Sequence, residues 1–154
     1  MKYEIKAAYD NIDAVRFLFW EYAKSLNINL DFQDFENELA NLPYEYSLPK
    51  GRLYLAYDTL TPIGCVAMRP LNDTSCELKR LYVNNAYRGK HIGSSLVEKI
   101  ISDAKFLHYK SIFLDTLSSL TASIELYKKM GFIEIEPYRY NPFKSALFFR
   151  LDLD

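Results

Sequence analysis

No stretch of this chain approaches the roughly 18 consecutive apolar residues of a membrane span, and Met1 to Asp10 lack the apolar block of a secretory signal. Cysteine is scarce. Cys65 and Cys76, with ten residues between them, form no CxxC pair and have no nearby His, so neither a metal site nor a disulfide framework is expected. Buried thiols in a reducing compartment are the expectation. Charge of one sign is also missing. The 19 Lys and Arg nearly cancel the 20 Asp and Glu, so the overall field that would hold nucleic acid or an anionic bilayer is absent, and neither partner is expected. What is present is apolar and aromatic: 49% hydrophobic and 16% aromatic residues in 154 exclude disorder and suit one domain over residues 1–154 with an ample core. A cytoplasmic protein is the expectation.

The order of elements predicts an α/β fold with a mixed sheet. Lys2 to Ala8 alternates as a strand, and Asp10 or Asn11 caps a helix whose apolar positions are Val15, Leu18, Phe19, Tyr22 and Leu26. A short amphipathic helix over Asp34 to Leu42 ends at Pro43. Leu53 to Tyr57, Ile63 to Arg69 and Ser75 to Val83, joined by turn-forming residues, read as an antiparallel meander. A long helix with the stripe Ile92, Leu96, Ile100, Ala104 and Leu107 then crosses over to the strand Ser111 to Thr116, which implies parallel pairing. A helix over Leu120 to Met130 stops at Gly131, strand resumes at Phe132 to Ile135, and a last strand carries Leu147, Phe149, Leu151 and Leu153.

The most informative segment is Glu77 to Val83 followed by Arg88-Gly-Lys-His-Ile-Gly93-Ser-Ser, a strand feeding a glycine-containing loop at a helix start. Unpaired backbone N–H groups, the positive end of the helix dipole, and Arg88 and Lys90 suit a diphosphate held chiefly by main chain. Neither GxGxxG nor GxxxxGK[ST] occurs, so nicotinamide and nucleoside-triphosphate chemistry lack their usual signature.

These residues resemble the GNAT N-acetyltransferase superfamily, whose loop reads Arg or Gln, two residues, Gly, one residue, Gly or Ala. Arg88, Ile92 and Gly93 match it, and His91 stands where the first motif Gly usually is, with negative φ and a solvent-facing ring expected. The run Leu126 to Phe132 is a second match. Lys79 to Val83, Leu114 to Leu117 and Pro137 to Pro142 are similar to small bacterial single-domain members.

The resemblance implies a mostly antiparallel sheet whose central strands splay apart to admit acetyl-coenzyme A. Leu81 and Val83 would contact the pantetheine arm by backbone, with the acetyl carbonyl near Leu81 polarised by a main-chain N–H. Gly89 and the amides of Lys90, His91, Ile92, Gly93 and Ser94 would hold the pyrophosphate, Arg88 would stand at its edge, and Asp115 and Thr116 would line the opposite wall. Tyr127 matches the tyrosine that protonates the coenzyme A sulfur. Glu77, expected on one strand face with Lys79 and Leu81, is either the base that takes the amine proton through water or an ion-pair partner of Lys79 or Arg80. Leu120 replaces a frequent Asn, removing one helix-capping or cofactor contact. His108 receives no catalytic part, and Lys128 and Lys129 read as a solvated helix end within reach of the 3′-phosphate.

The acceptor would sit among aromatics: Trp20, Glu21 and Tyr22, the stretch Phe32 to Glu36 with Phe35, Tyr44 and Tyr46, and Tyr138 with Tyr140, acidic groups favouring a cation. The expected activity is acetyl transfer from acetyl-coenzyme A to a primary amine of a small molecule or peptide, by direct attack in a ternary complex. A non-catalytic acyl-coenzyme A sensor, or an enzyme with another acyl donor or a protein acceptor, is the alternative. The resemblance also implies pairing into homodimers.

Overall fold

The computed structural model describes residues 2–27 and 34–154. Its elements are β1 (Glu4–Ala7), α1 (Ile12–Leu26), α2 (Phe35–Ala40), β2 (Arg52–Asp58), β3 (Thr61–Pro70), β4 (Ser75–Val83), α3 (Ile92–Phe106), β5 (Ser111–Leu117), α4 (Thr121–Lys129), β6 (Ile133–Ile135) and β7 (Ala146–Asp152). Short 3-10 turns occupy Tyr44–Tyr46 and Asn85–Tyr87. Seven strands form one sheet in the order β1-β2-β3-β4-β5-β7-β6, antiparallel except for β4 beside β5. The crossover through α3 is therefore parallel, as the alternation of strand and helix required.

The sheet is covered on both faces. On one, Ile92, Leu96, Val97, Ile100 and Ala104 of α3 and Tyr127 of α4 pack on Val66, Met68, Leu78, Ile112 and Phe149. On the other, Val15, Leu18 and Phe19 of α1 and Phe35 of α2 pack on Leu53, Leu55, Cys65 and Ala67. A central strand buried on both sides explains why β3 reads as a nearly continuous apolar run rather than clean alternation, whereas β4, equally buried, carries Glu77, Lys79 and Arg80. Cys65 and Cys76 are free and buried. Gly131, at φ +101°, ends the segment after α4 in the left-handed conformation expected of it. Asn11 takes the N-cap position of α1 without capping it; its side chain donates instead to the Tyr57 hydroxyl at 2.9 Å.

Two departures from regular pairing shape the molecule. The parallel ladder between β4 and β5 holds only from Ser75↔Ser111 to Glu77↔Phe113, after which the strands separate. On its other side, β4 bulges: Cys65 pairs with Tyr82 and Ala67 with Lys79, so Arg80 and Leu81 together oppose Val66. Arg80 takes φ +61°, in the left-handed region. Residues 80 and 81 thus have no register partner on either neighbouring strand. The bulge also breaks the expected alternation. Glu77 and Lys79 face α1 and α2, but Leu81 packs with the α3 and α4 cluster, so the three do not share a face.

Among the described residues, no helix is long and apolar enough to cross a membrane.

Candidate active site

The N-terminus of α3 is left open by the local sequence. Gly89 at φ +78° and His91 at φ +63° turn the chain twice through the left-handed region. His91 thereby departs from the negative φ expected of it: the loop demands at this position the conformation glycine adopts without cost, and His is among the few residues that enter it. His91 is the N-cap of α3 and makes no side-chain cap. The first amide bonded back into the helix is that of Ser95, to the His91 carbonyl at 3.1 Å. The amides of Lys90 through Ser94 donate to no backbone carbonyl among the described residues. An uncapped helix start with free donors is an anion site.

A cleft of about 590 Å³ opens onto the segment His91 to Ser94. It is lined by Leu81, Val83, Arg88, Gly89, His91, Ile92, Gly93 and Ser94 on one side and by residues around the start of α4, Leu120 to Leu126, on the other. Of the expected cradle residues, Lys90 does not line the cleft. Arg88 bends back so that its Nε donates to the Val83 carbonyl at 3.1 Å. A Cβ on Gly93 would reach Leu126 Cδ2 at 3.6 Å and Val83 Cγ2 at 3.9 Å, so the missing side chain preserves cleft space rather than relieving a clash. Leu120 is the N-cap of α4 and makes no side-chain cap, which leaves that helix start open to the cleft as well.

Between the separated ends of β4 and β5 lies a smaller gap of about 40 Å³, sharing Tyr22, Leu81, Leu120 and Ser123 with the cleft. Asp115 and Thr116 line this gap rather than the cleft, together with Lys79, Arg80 and Tyr127. Tyr22 reaches it from the α1 face and Tyr127 from the α4 face, so the opening passes through the sheet. Burial raises the Tyr127 hydroxyl well above an ordinary phenol, and nearby Tyr22 and Asp115 add to the effect. It is therefore a protonated group at any ordinary pH, and it donates to none of the described residues.

The polar side of the gap is a network of ion pairs. Glu77 is fully buried and accepts from Arg69 at 2.8 Å, Arg139 at 3.2 Å and the Tyr138 hydroxyl at 2.5 Å. Of its two expected roles, ion pairing describes the geometry, with Arg69 and Arg139 as partners instead of Lys79 or Arg80. Arg80 forms a bidentate pair with Glu38 of α2, both contacts at 2.9 Å, and stacks on Phe35. Burial pushes the Glu38 carboxyl up, but Arg80 overcomes this and holds it below the usual range. Asp115 shows the same balance: burial opposes ionisation, while Arg139 at 2.7 Å and Asn141 at 3.2 Å keep it charged. The Cys65 thiol donates to the Arg80 carbonyl at 3.3 Å, supporting the bulge.

The aromatic residues expected around an acceptor divide. Tyr22 lines the gap, Tyr138 packs edge-on against Phe113 and Phe148 while binding Glu77, and Phe35 supports Arg80. Tyr44 and Tyr46 line a separate pocket of about 360 Å³ with Glu38 and Arg69. Trp20 and Tyr140 are exposed and line neither the gap nor the cleft; Trp20 instead lies under Lys24. Phe32 lies outside the described residues. Glu21, expected to attract a cation, accepts from the Tyr82 hydroxyl and from Asn84, both at 2.8 Å. Sequence reasoning gives Glu38 and Arg139 no role and Lys79 only that of a partner for Glu77, although charged neighbours inside a buried strand, as in Glu77-Leu-Lys-Arg, are themselves a signal.

Known proteins bear on this arrangement directly. Residues 9–132 match the Acetyltransferase (GNAT) family. An uncharacterized N-acetyltransferase of Schizosaccharomyces pombe is 39% identical over 93% of this chain and 89% of its own length. A GNAT acetyltransferase of Staphylococcus aureus superposes with a TM-score of 0.84 at 23% identity, covering 99% of this chain and all of the other. One from Elizabethkingia anophelis, solved with acetyl-CoA bound, gives a TM-score of 0.59 at 26% identity over 73% of this chain and 82% of its own. With the family match spanning most of the sequence and a fold shared end to end, the chain belongs to the GNAT acetyltransferase family and is an N-acetyltransferase.

Proposed function

We propose that the chain, acting as one catalytic domain over residues 1–154, transfers the acetyl group of acetyl-coenzyme A to a primary amine of a small molecule or peptide by direct attack in a ternary complex. The observation that carries this reading is the continuity of the uncapped α3 N-terminus, the cleft and the gap through the sheet. The amides of Lys90 to Ser94 and the α3 dipole favour a pyrophosphate at the cleft mouth. The cleft leads from there to Leu81, in the bulge, where β4 has left the register of both neighbouring strands. When bound, the acyl donor supplies a thioester that an uncharged amine can attack.

This chain's own residues do the rest. The bulge presents the backbone at Leu81 as a donor to a polarised carbonyl, a type of contact worth roughly 3 to 4 kcal/mol in the barrier. Tyr127, held protonated by burial, is the acid for a departing thiolate. The acceptor comes from the α1 and α2 face, where Tyr22 lines the gap. The test is thiol release from acetyl-coenzyme A across a panel of primary amines. Steady turnover with at least one amine is expected; cofactor binding without turnover for any amine or peptide contradicts catalysis and indicates a sensor.

A further inference from the structure

Acetyl transfer needs a group that takes the proton of the acceptor ammonium, and Glu77 is committed to two arginines and a tyrosine. Two residues further along the same face of β4 stands Lys79. Glu77 is the last residue of β4 paired with β5, whereas Lys79 lies past the point of separation and lines the gap with Leu81, Asp115 and Tyr127. It is 6% exposed. Every other cation nearby is matched: Arg69 by Glu45 and Glu77, Arg80 by Glu38, Arg139 by Asp115 and Glu77. The Lys79 amine makes no ion pair or hydrogen bond among the described residues.

Resting on the acetyl-transfer reading above, we propose that Lys79 is the proton acceptor of the reaction, its neutral amine taking a proton from the ammonium form of the acceptor. The acceptor nitrogen, left with a free electron pair, forms the C–N bond as the C–S bond breaks. The thiolate takes the Tyr127 proton, and the second proton lost from the attacking nitrogen restores the phenol. The sum is ammonium plus thioester giving amide, thiol and one proton, which leaves Lys79 for solvent.

The surroundings favour the neutral amine. Burial, then the Arg80 cation, push Lys79 down to about 7, with Arg69 of β3 and Arg139 of the loop before β7 adding and Glu77 opposing. Glu38 of α2 and Asp115 of β5 also feel its charge, but their carboxylates are already bound to arginines. Tyr22 of α1 and Tyr127 of α4, the remaining titratable groups around the gap, stay uncharged.

Two measurements test this. Titration of the lysine side-chain nitrogens by NMR in the unliganded wild-type protein should show one lysine with a midpoint near 7; all midpoints near the ordinary ~10.4 would overturn the proposal. In thiol-release kinetics, Lys79→Met and Lys79→Arg should both lose about 10²- to 10⁴-fold in kcat, with little change in the amine KM and with coenzyme A binding retained. Arginine keeps the charge but cannot shed its proton at neutral pH. Near-normal turnover of Lys79→Arg, or a loss confined to KM, would overturn the proposal and make Lys79 a binding site for an anionic group. Wild-type protein inert toward every amine would refute acetyl transfer, while the NMR midpoint would still report the state of Lys79.

Discussion

Tyr127 and Arg80 illustrate how differently two buried polar side chains are held. Tyr127 is 5% exposed yet has no hydrogen-bond partner among the described residues, and it lies against Phe132 and Phe149. Read by helical spacing alone it is a core residue, and its packing is that of one; only its position beside the gap separates the two descriptions. Tyr127→Phe removes one oxygen and leaves the packing intact, so turnover should fall by about 10- to 1000-fold while the coenzyme A dissociation constant stays nearly unchanged, measured by thiol release and calorimetry. Arg80 is the opposite case. Its pair with Glu38 buries both charges, so Arg80→Met alone should destabilise the fold by about 3–5 kcal/mol by stranding a carboxylate. Adding Glu38→Gln to that variant should recover much of the loss in denaturant unfolding.

At the level of elements, the bulge in β4 and the open start of α3 produce the site together. The strand bends away from β5 where Arg80 enters the left-handed region, and the loop after it uses Gly89 and His91 in the same region to aim α3 at the opening. Both devices depend on φ at single residues. The apolar stripe of α3, from Ile92 to Ala104, and the strand Ser75–Val83 are legible in the sequence because burial imposes a period on side chains. The bulge is not, since Arg80 is an unlikely residue for positive φ and is kept there by Glu38, forty-two positions away. The bulge is also why the alternation of Glu77, Lys79 and Leu81 fails. Gly93→Val should leave the helix folded, because its Cβ meets only ordinary contacts, but should fill the cleft. Coenzyme A at about 100 times its wild-type dissociation constant should stabilise the wild type by roughly 2.7 kcal/mol and the variant hardly at all, read as a shift in Tm.

Across the whole molecule, much of the charge that nearly cancels in the composition is gathered into one ion-paired cluster, three arginines (Arg69, Arg80 and Arg139) against four carboxylates (Glu38, Glu45, Glu77 and Asp115). Composition could report the balance but not its concentration at one place, and these arginines therefore stayed hidden while the loop at the start of α3, written in contiguous residues, did not. The cluster makes stability depend on pH in a definite sense. Glu38 and Asp115 are held below their usual values, so the stability they contribute is complete above the ordinary carboxylate range and is lost as pH falls below about 4. Lys79 acts at the other end. With its value pushed down to about 7, the unfolded chain binds the extra proton and stability rises with pH from there. Above pH ~8.5 the buried thiols, which ionise more readily once unfolded, oppose the rise. Urea midpoints should thus climb between pH 7 and about 8.5, and Lys79→Met should flatten that climb. The claim on which the functional reading stands is that main-chain donors at the start of α3 hold the diphosphate of coenzyme A. A crystal structure of the protein grown with coenzyme A tests it most directly: phosphate oxygens within about 3 Å of the amides from Lys90 to Ser94, with the pantetheine arm entering between β4 and β5, is the expected result. Coenzyme A bound elsewhere, with those amides facing only water, would contradict it.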